Sequence, residues 1–132
     1  SSDLTKEQHN FPVIGIVNDE NRLMGFGSYG QFRLRPAYKY TVENSVYVHP
    51  DHRGKGLGKL LLQEIIKHAI AQDYHAIVGV IDATNKVSIG LHRQLGFEEV
   101  GTFKQVGFKF DQWLDAVFMQ LILPTPQHPV GE

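Results

Sequence analysis

The chain has 132 residues, 42% hydrophobic and 20% charged, with a formal net charge of −1, which supports one domain with a real core and not two. The near-neutral balance argues against a broad nucleic-acid-binding face. The absence of cysteine excludes a disulfide framework, a thiolate metal site and a cysteine nucleophile.

Residues 1–10 are polar and are expected to form a flexible N-terminal segment, and Ser1-Ser2-Asp3-Leu4-Thr5-Lys6 does not read as a signal peptide. Phe11 to Val17 reads as a strand. Asn18-Asp19-Glu20-Asn21 is turn chemistry, and Leu23 to Phe32 reads as a second strand, so the pair is expected to be an antiparallel hairpin. Arg33 to Asn44, with Pro36 and two tyrosines, reads as irregular. Ser45 to His49 is a third strand, stopped by Pro50. From Leu57 the period changes: Leu57, Leu61, Ile65 and Ala69 recur at four-residue steps with Leu62, Ile66 and Ile70, while Lys59, Gln63, Lys67 and His68 take the other face. That is an amphipathic helix of about four turns.

Ala76 to Ile81 is a continuous apolar run, as a strand buried on both faces requires. Lys86 to Leu95 reads as a second helix closed by Gly96. Phe97 to Phe110 and Asp115 to Leu123 alternate like strands, linked near Asp111-Gln112-Trp113. The tail, 124–132, holds three prolines and is expected to be flexible. No apolar run approaches membrane-spanning length. The order ββ, β, α, β, α, ββ gives an α/β domain over 11–123, whose third and fourth strands are expected to run parallel through a right-handed crossover. A cytoplasmic enzyme or binding module is the expectation.

One stretch concentrates the chemistry. Arg53-Gly54-Lys55-Gly56-Leu57-Gly58 lies between the third strand and the first helix. A helix N-terminus offers unpaired amides and the positive end of its dipole, and glycines let the backbone come close. Arg53 and Lys55 add charge, so the turn suits a phosphate, above all a pyrophosphate. The spacing is neither that of the Walker loop nor that of the dinucleotide fingerprint. Taken alone, the turn could also be a plain connection. His49 and His52, three apart with a proline between, make a poor metal pair, and no metal is expected.

Arg-x-x-Gly-x-Gly, as it stands at 53–58, resembles the signature of the GCN5-related N-acetyltransferases. "TVENSVYVHPDHRGKGLG", "NKVSIGLHRQLGF" and "VGFKFDQWLDAVFMQL" are similar to the branch with phosphinothricin and methionine sulfone/sulfoximine acetyltransferases. The resemblance runs from Phe11 to Leu123. It implies a GNAT fold: a mixed, mostly antiparallel twisted sheet with a parallel strand pair around the coenzyme site, flanked by helices. A further N-terminal strand and two helices of the family pattern have no counterpart in this sequence.

The resemblance also implies roles. The backbone at Val46 and Val48 would pair with the pantetheine arm of acetyl-CoA. Arg53, Gly54, Lys55, Gly56, Leu57, Gly58 and Lys59 would present amides and charge to its pyrophosphate. Asn85 and Ser88 would contact the arm from the second helix, although Asn85 also reads as an ordinary N-cap. Glu43 would take the proton of the attacking amine, although a Glu at a strand edge also reads as solvated surface, and His92 would donate to the leaving thiolate or touch the coenzyme, although a lone helix His also reads as structural. Read from the residues alone, Arg33 and Arg35, with Tyr38 beside them, suit a substrate carboxylate or phosphinate but equally a solvated basic loop, and Phe32 and Trp113 suit either a wall of the acceptor pocket or simple packing. The implied acceptor is the α-amine of a small amino acid or analogue. The alternatives are a protein N-terminus, a lysine or a polyamine, or a CoA-binding module without activity. A homodimer is implied by the same resemblance; neither nucleic acid nor membrane is expected as a partner.

Overall fold

The computed structural model describes residues 11–32 and 36–131. Strands β1 (Val13–Val17) and β2 (Leu23–Gln31) form the expected antiparallel hairpin. Its turn is held by Asn18, whose Oδ1 accepts the backbone N–H groups of Glu20 and Arg22, both at 2.9 Å. Strand β3 (Thr41–Val48) runs antiparallel to β2, from Gly25↔Val48 to Gln31↔Val42. Helix α1 (Leu57–Ala71) then crosses to β4 (Ala76–Asp82), which pairs parallel with β3. Helix α2 (Lys86–Gln94) leads to the long hairpin of β5 (Glu98–Lys109) and β6 (Gln112–Ile122), and β6 pairs antiparallel with β4. The six strands lie in the order β1-β2-β3-β4-β6-β5. The parallel pair therefore sits at the centre of an otherwise antiparallel sheet, as expected.

Both helices pack on one face. Helix α1 buries Leu61, Leu62, Ile65 and Ala69, the face that the four-residue spacing marks out, against β1, β2 and β3. Tyr29, Val42, Ile77 and Met119 complete the centre of the core from four adjacent strands. Burying each large apolar side chain stabilises the fold by about 1.5–3 kcal/mol. Helix α2 packs on β4, β5 and α1. It ends in a Schellman pattern: Gly96, at φ 99°, donates to the Arg93 carbonyl and Phe97 to that of His92.

Two boundaries differ from the sequence reading. Strand β3 begins at Thr41, so Thr41–Asn44 is extended rather than irregular. Flanking strands on both sides impose this on Glu43 and Asn44, residue types with little strand preference of their own. Strand β6 begins at Gln112. Phe110 and Asp111 alone make the turn, at φ 51° and 59°, the backbone of a two-residue type I′ hairpin. Residues 124–131 form neither helix nor strand, yet they are hydrogen-bonded to the body: Thr125 Oγ1 to the Tyr74 carbonyl at 2.7 Å, and Val130 N to the Tyr40 hydroxyl at 2.7 Å.

Candidate active site

A groove of ≈ 790 Å³ opens between the C-terminal half of β3, the turn after it and the outer face of α2. Val46 and Val48 line it from β3, Arg53, Gly54, Gly56, Leu57, Gly58 and Lys59 from the turn and the start of α1, and Asn85 and Ser88 from α2. Nine of the ten coenzyme residues besides Val46 expected from sequence thus converge with it on one groove. Lys55 is the exception: its Nζ lies 3.5 Å from His52 Nδ1, outside the lining.

The turn has the backbone that anion binding needs. Gly54 and Gly56 stand at φ 80° and 78°, where side chains with a Cβ are strained, and a Cβ at either would meet nothing within 4 Å. Gly56 is the N-cap of α1, and no side chain caps the helix. The amides that start α1 therefore face the groove, at the positive end of the helix dipole. At the second helix the cap is occupied: Asn85 Oδ1 accepts Ser88 N at 3.1 Å. This is the bland role the sequence offered, and it leaves the Asn85 amide nitrogen as the donor toward the groove. Asp82 braces the preceding loop by accepting from Thr84 N and Oγ1, both at 2.8 Å, and these bonds hold its carboxyl below the usual range.

Glu43 lies in the middle of β3, opposite Gly30 of β2 and Val78 of β4, and is half-buried. Side chains alternate along a strand, so Glu43 and Tyr47 share the face away from the helices, while Asn44, Val46 and Val48 share the helix face. The carboxylate and the groove thus approach the same strand from different sides.

His92 does not line the groove. It is 3% exposed, with its ring 4.8 Å from that of Phe97. Its Nδ1 lies 2.8 Å from the Ser88 carbonyl, a pure acceptor, so Nδ1 carries the proton. Its Nε2 lies 3.4 Å from Asn44 Oδ1. Burial pushes the imidazole below its usual pKa.

The expected acceptor residues are more dispersed. Phe32 follows β2 and donates its N–H to the Thr41 carbonyl at 3.3 Å, and Tyr38 is exposed in a 3-10 turn (Pro36–Tyr38). Arg33 and Arg35 lie outside the described residues. Trp113 packs on Phe108 at 4.9 Å near the hairpin turn. The row through Glu43 and Val78 meets β6 at Gln120, and seven residues of strand, about 23 Å, separate Gln120 from Trp113. Within one chain Trp113 and Glu43 are not brought together. Among the described residues no three His, Cys, Asp or Glu side chains gather as a metal site.

Sequence reasoning missed Tyr47, His52, Val87, Leu91 and Gln94, which also line the groove. Val87, Leu91 and Gln94 repeat at helical spacing, and Val87 is 83% exposed. An apolar residue on the polar side of a short helix was the available signal.

Residues 2–97 match the pattern of the "Acetyltransferase (GNAT) family". The L-methionine sulfoximine/L-methionine sulfone acetyltransferase of Pseudomonas aeruginosa is 47% identical over 126 residues, 95% of this chain and 73% of that protein. A solved structure from Acinetobacter baylyi ADP1 superposes with a TM-score of 0.94 at 57% identity, covering 98% of this chain and 73% of the other. A GNAT superfamily phosphinothricin acetyltransferase from Sinorhizobium meliloti, solved in complex with AcCoA, superposes with a TM-score of 0.91 at 35% identity, covering 99% and 71%.

Proposed function

This chain belongs to the acetyltransferase (GNAT) family, and on that footing we propose that it moves an acetyl group from acetyl-CoA to the α-amine of a small amino acid or analogue. The acceptor class is that of methionine sulfone, methionine sulfoximine and phosphinothricin, the compounds named for its relatives. The observation that carries the reading is the groove, where the uncapped start of α1, two glycines at positive φ and Arg53 meet the stretch of β3 beyond its pairing with β4.

The residues present fit the coenzyme. Backbone amides from Gly56 to Lys59, with Arg53 and Lys59, hold a pyrophosphate. The backbone of Val46 to Val48 pairs with an extended amide-bearing arm, as an added strand would. Asn85 Nδ2 and Ser88 reach the same arm from α2. Near Val48 a backbone N–H polarises the thioester carbonyl.

Glu43 stands on the opposite face of β3 and takes the proton. An α-ammonium is largely protonated near neutral pH, so it must be deprotonated before it can attack. Glu43 would take the ammonium proton directly or through water; the neutral nitrogen would then bond to the thioester carbon, the C–S bond would break, and the second N–H proton would leave with the thiolate as the free thiol. Arg33, Arg35, Tyr38 and Phe32, which flank β3 in sequence, are assigned to the acceptor and its acid group. Trp113 is assigned to the acceptor only through a second copy of the chain.

That second copy is part of the reading. The β5–β6 hairpin exposes Val100, Phe103, Val106, Phe108, Phe110 and Trp113, an apolar run fit for a homodimer. The described residues hold no helix long and apolar enough to cross a membrane. We place the enzyme in the cytoplasm.

The test is acetyl-CoA-dependent thiol release with methionine sulfone, methionine sulfoximine, phosphinothricin, polyamines and short peptides. Release with the amino-acid analogues alone is the expected result. Release only with peptides or polyamines would move the acceptor class. Silence with every acceptor while acetyl-CoA still binds would leave a CoA-binding module.

A further inference from the structure

The β3–β4 ladder is short. Its parallel pairs run only from Thr41↔Ala76 to Glu43↔Val78, although β3 continues to Val48 and β4 to Asp82. Beyond Val78, β4 keeps pairing with β6 as far as Asp82↔Ala116, while β3 keeps pairing with β2 as far as Val48↔Gly25. The sheet therefore forks one residue past Glu43. The forked edge of β3 is the edge that lines the groove.

A buried polar assembly fills the base of the fork. Asn44, the first residue beyond the ladder and 9% exposed, donates Nδ2 to the Val78 carbonyl at 3.3 Å. Its Oδ1 stands 3.4 Å from His92 Nε2, a packing contact between two acceptors while Nδ1 holds the ring proton. His92 is anchored at its other nitrogen by the Ser88 carbonyl at 2.8 Å. Gly79, on β4 at the fork, completes the fit. A Cβ there would stand 2.9 Å from both Cδ2 and Nε2 of His92 and 3.3 Å from Asn44 Nδ2. Real Cβ atoms do not come so close, and the rigid ring cannot give way as a flexible chain would.

We infer that Asn44 and His92, seated against Gly79, are positioning residues: a wedge that sets the width of the β3–β4 fork and ties α2 to it. The inference rests on the acetyltransferase reading and deepens it. The same helix turn that anchors His92 presents Ser88 and Leu91 to the groove, so the wedge fixes where the coenzyme's arm lies relative to the β3 backbone. Glu43 is the neighbour of Asn44 on that strand. A shift of the wedge moves the acyl carbon and the proton acceptor relative to each other. His92 itself transfers no proton: with Nδ1–H given to Ser88, its Nε2 is bare and faces Asn44 rather than the groove.

Three variants and two readouts test this. Gly79→Ala keeps every functional group of the wedge and only displaces it; Asn44→Ala removes its centre; His92→Gln removes its ring. A misplacement near 1 Å costs about 10²-fold in rate. Gly79→Ala and Asn44→Ala should therefore lower kcat by roughly that factor, with acetyl-CoA affinity within about threefold because the pyrophosphate turn is untouched. His92→Gln should lower kcat without changing the shape of the pH–rate profile. An unchanged kcat in Gly79→Ala, or loss of one limb of the profile in His92→Gln, overturns the wedge. The second readout needs no turnover: ¹⁵N NMR of the His92 ring should show the Nδ1–H tautomer in the wild type, with and without acetyl-CoA, and a changed ring environment in Gly79→Ala. A ring environment that does not change in Gly79→Ala overturns the wedge even if no acceptor is ever turned over. Thermal unfolding of each variant separates a shifted wedge from a lost fold.

Discussion

Gly58 at the start of α1 lies against Leu91 of α2: a Cβ built on Gly58 would stand 3.2 Å from Leu91 Cδ2 and 4.0 Å from Val48 Cγ2. The floor of the groove is thus the point where two helices and the end of β3 touch. A larger residue at 58 must displace either Leu91 or the ligand. Gly58→Val is expected to raise the KM for acetyl-CoA about tenfold or more, equivalent to roughly 1.4 kcal/mol. Adding Leu91→Ala should restore part of it. A double-mutant cycle on acetyl-CoA affinity checks the coupling, which should be clearly non-additive because the residues are in contact.

The turn preceding Gly58 makes a different demand. A Cβ on Gly56 has open space, so the cost of Gly56→Ala is backbone strain at φ 78° and not a clash. Left-handed geometry costs an ordinary residue about 1–2 kcal/mol. Gly56→Ala should weaken acetyl-CoA binding by roughly the corresponding five- to thirtyfold, with little change in kcat at saturation. Titration calorimetry with acetyl-CoA, alongside saturating kinetics, measures both.

How much of this was legible in the sequence follows from distance along the chain. The glycine turn was readable because strand, turn and helix are contiguous, and every residue proposed for the anion site lies between Arg53 and Lys59. The helix spacing from Leu57 to Ala69 named the buried face for the same reason. Asn44 and His92 meet across 48 positions, and no local pattern marks either as the other's neighbour. Thr41–Asn44 read as irregular because its extension is imposed by β2 and β4, not by its own residues. Trp113 suits a pocket wall by residue type alone, whereas strand register sets it about 23 Å along β6 from the Glu43 row.

His92 also gives the fold an acid sensitivity. Its folded-state pKa lies below the ordinary value because burial disfavours the imidazolium. Above about pH 6.5 the ring is neutral in both the folded and the unfolded chain, and its neutral contacts contribute fully. As pH falls below that value the unfolded chain takes up a proton that the folded one refuses, so stability declines until the folded pKa is passed. Unfolding midpoints in denaturant between pH 7.5 and 5 should fall more steeply for the wild type than for His92→Gln. Parallel curves would remove His92 as the cause.

The core under α1 sets the scale for destabilising changes. Ile65 is fully buried against the sheet. Ile65→Ala should cost about 2–5 kcal/mol, transfer and cavity together. The denaturant midpoint should drop without a large change in slope.

The account's central claim is that β3 carries the coenzyme along its forked edge and the proton acceptor on its other face, so binding and proton removal are separable. Glu43→Gln tests it most directly, with acetyl-CoA affinity and kcat for the best amino-acid acceptor measured on one preparation. The expected result is a kcat lower by about 10²–10⁴-fold with acetyl-CoA affinity unchanged. A kcat equal to wild type, or a loss of coenzyme affinity that accounts for the whole loss of rate, would contradict it.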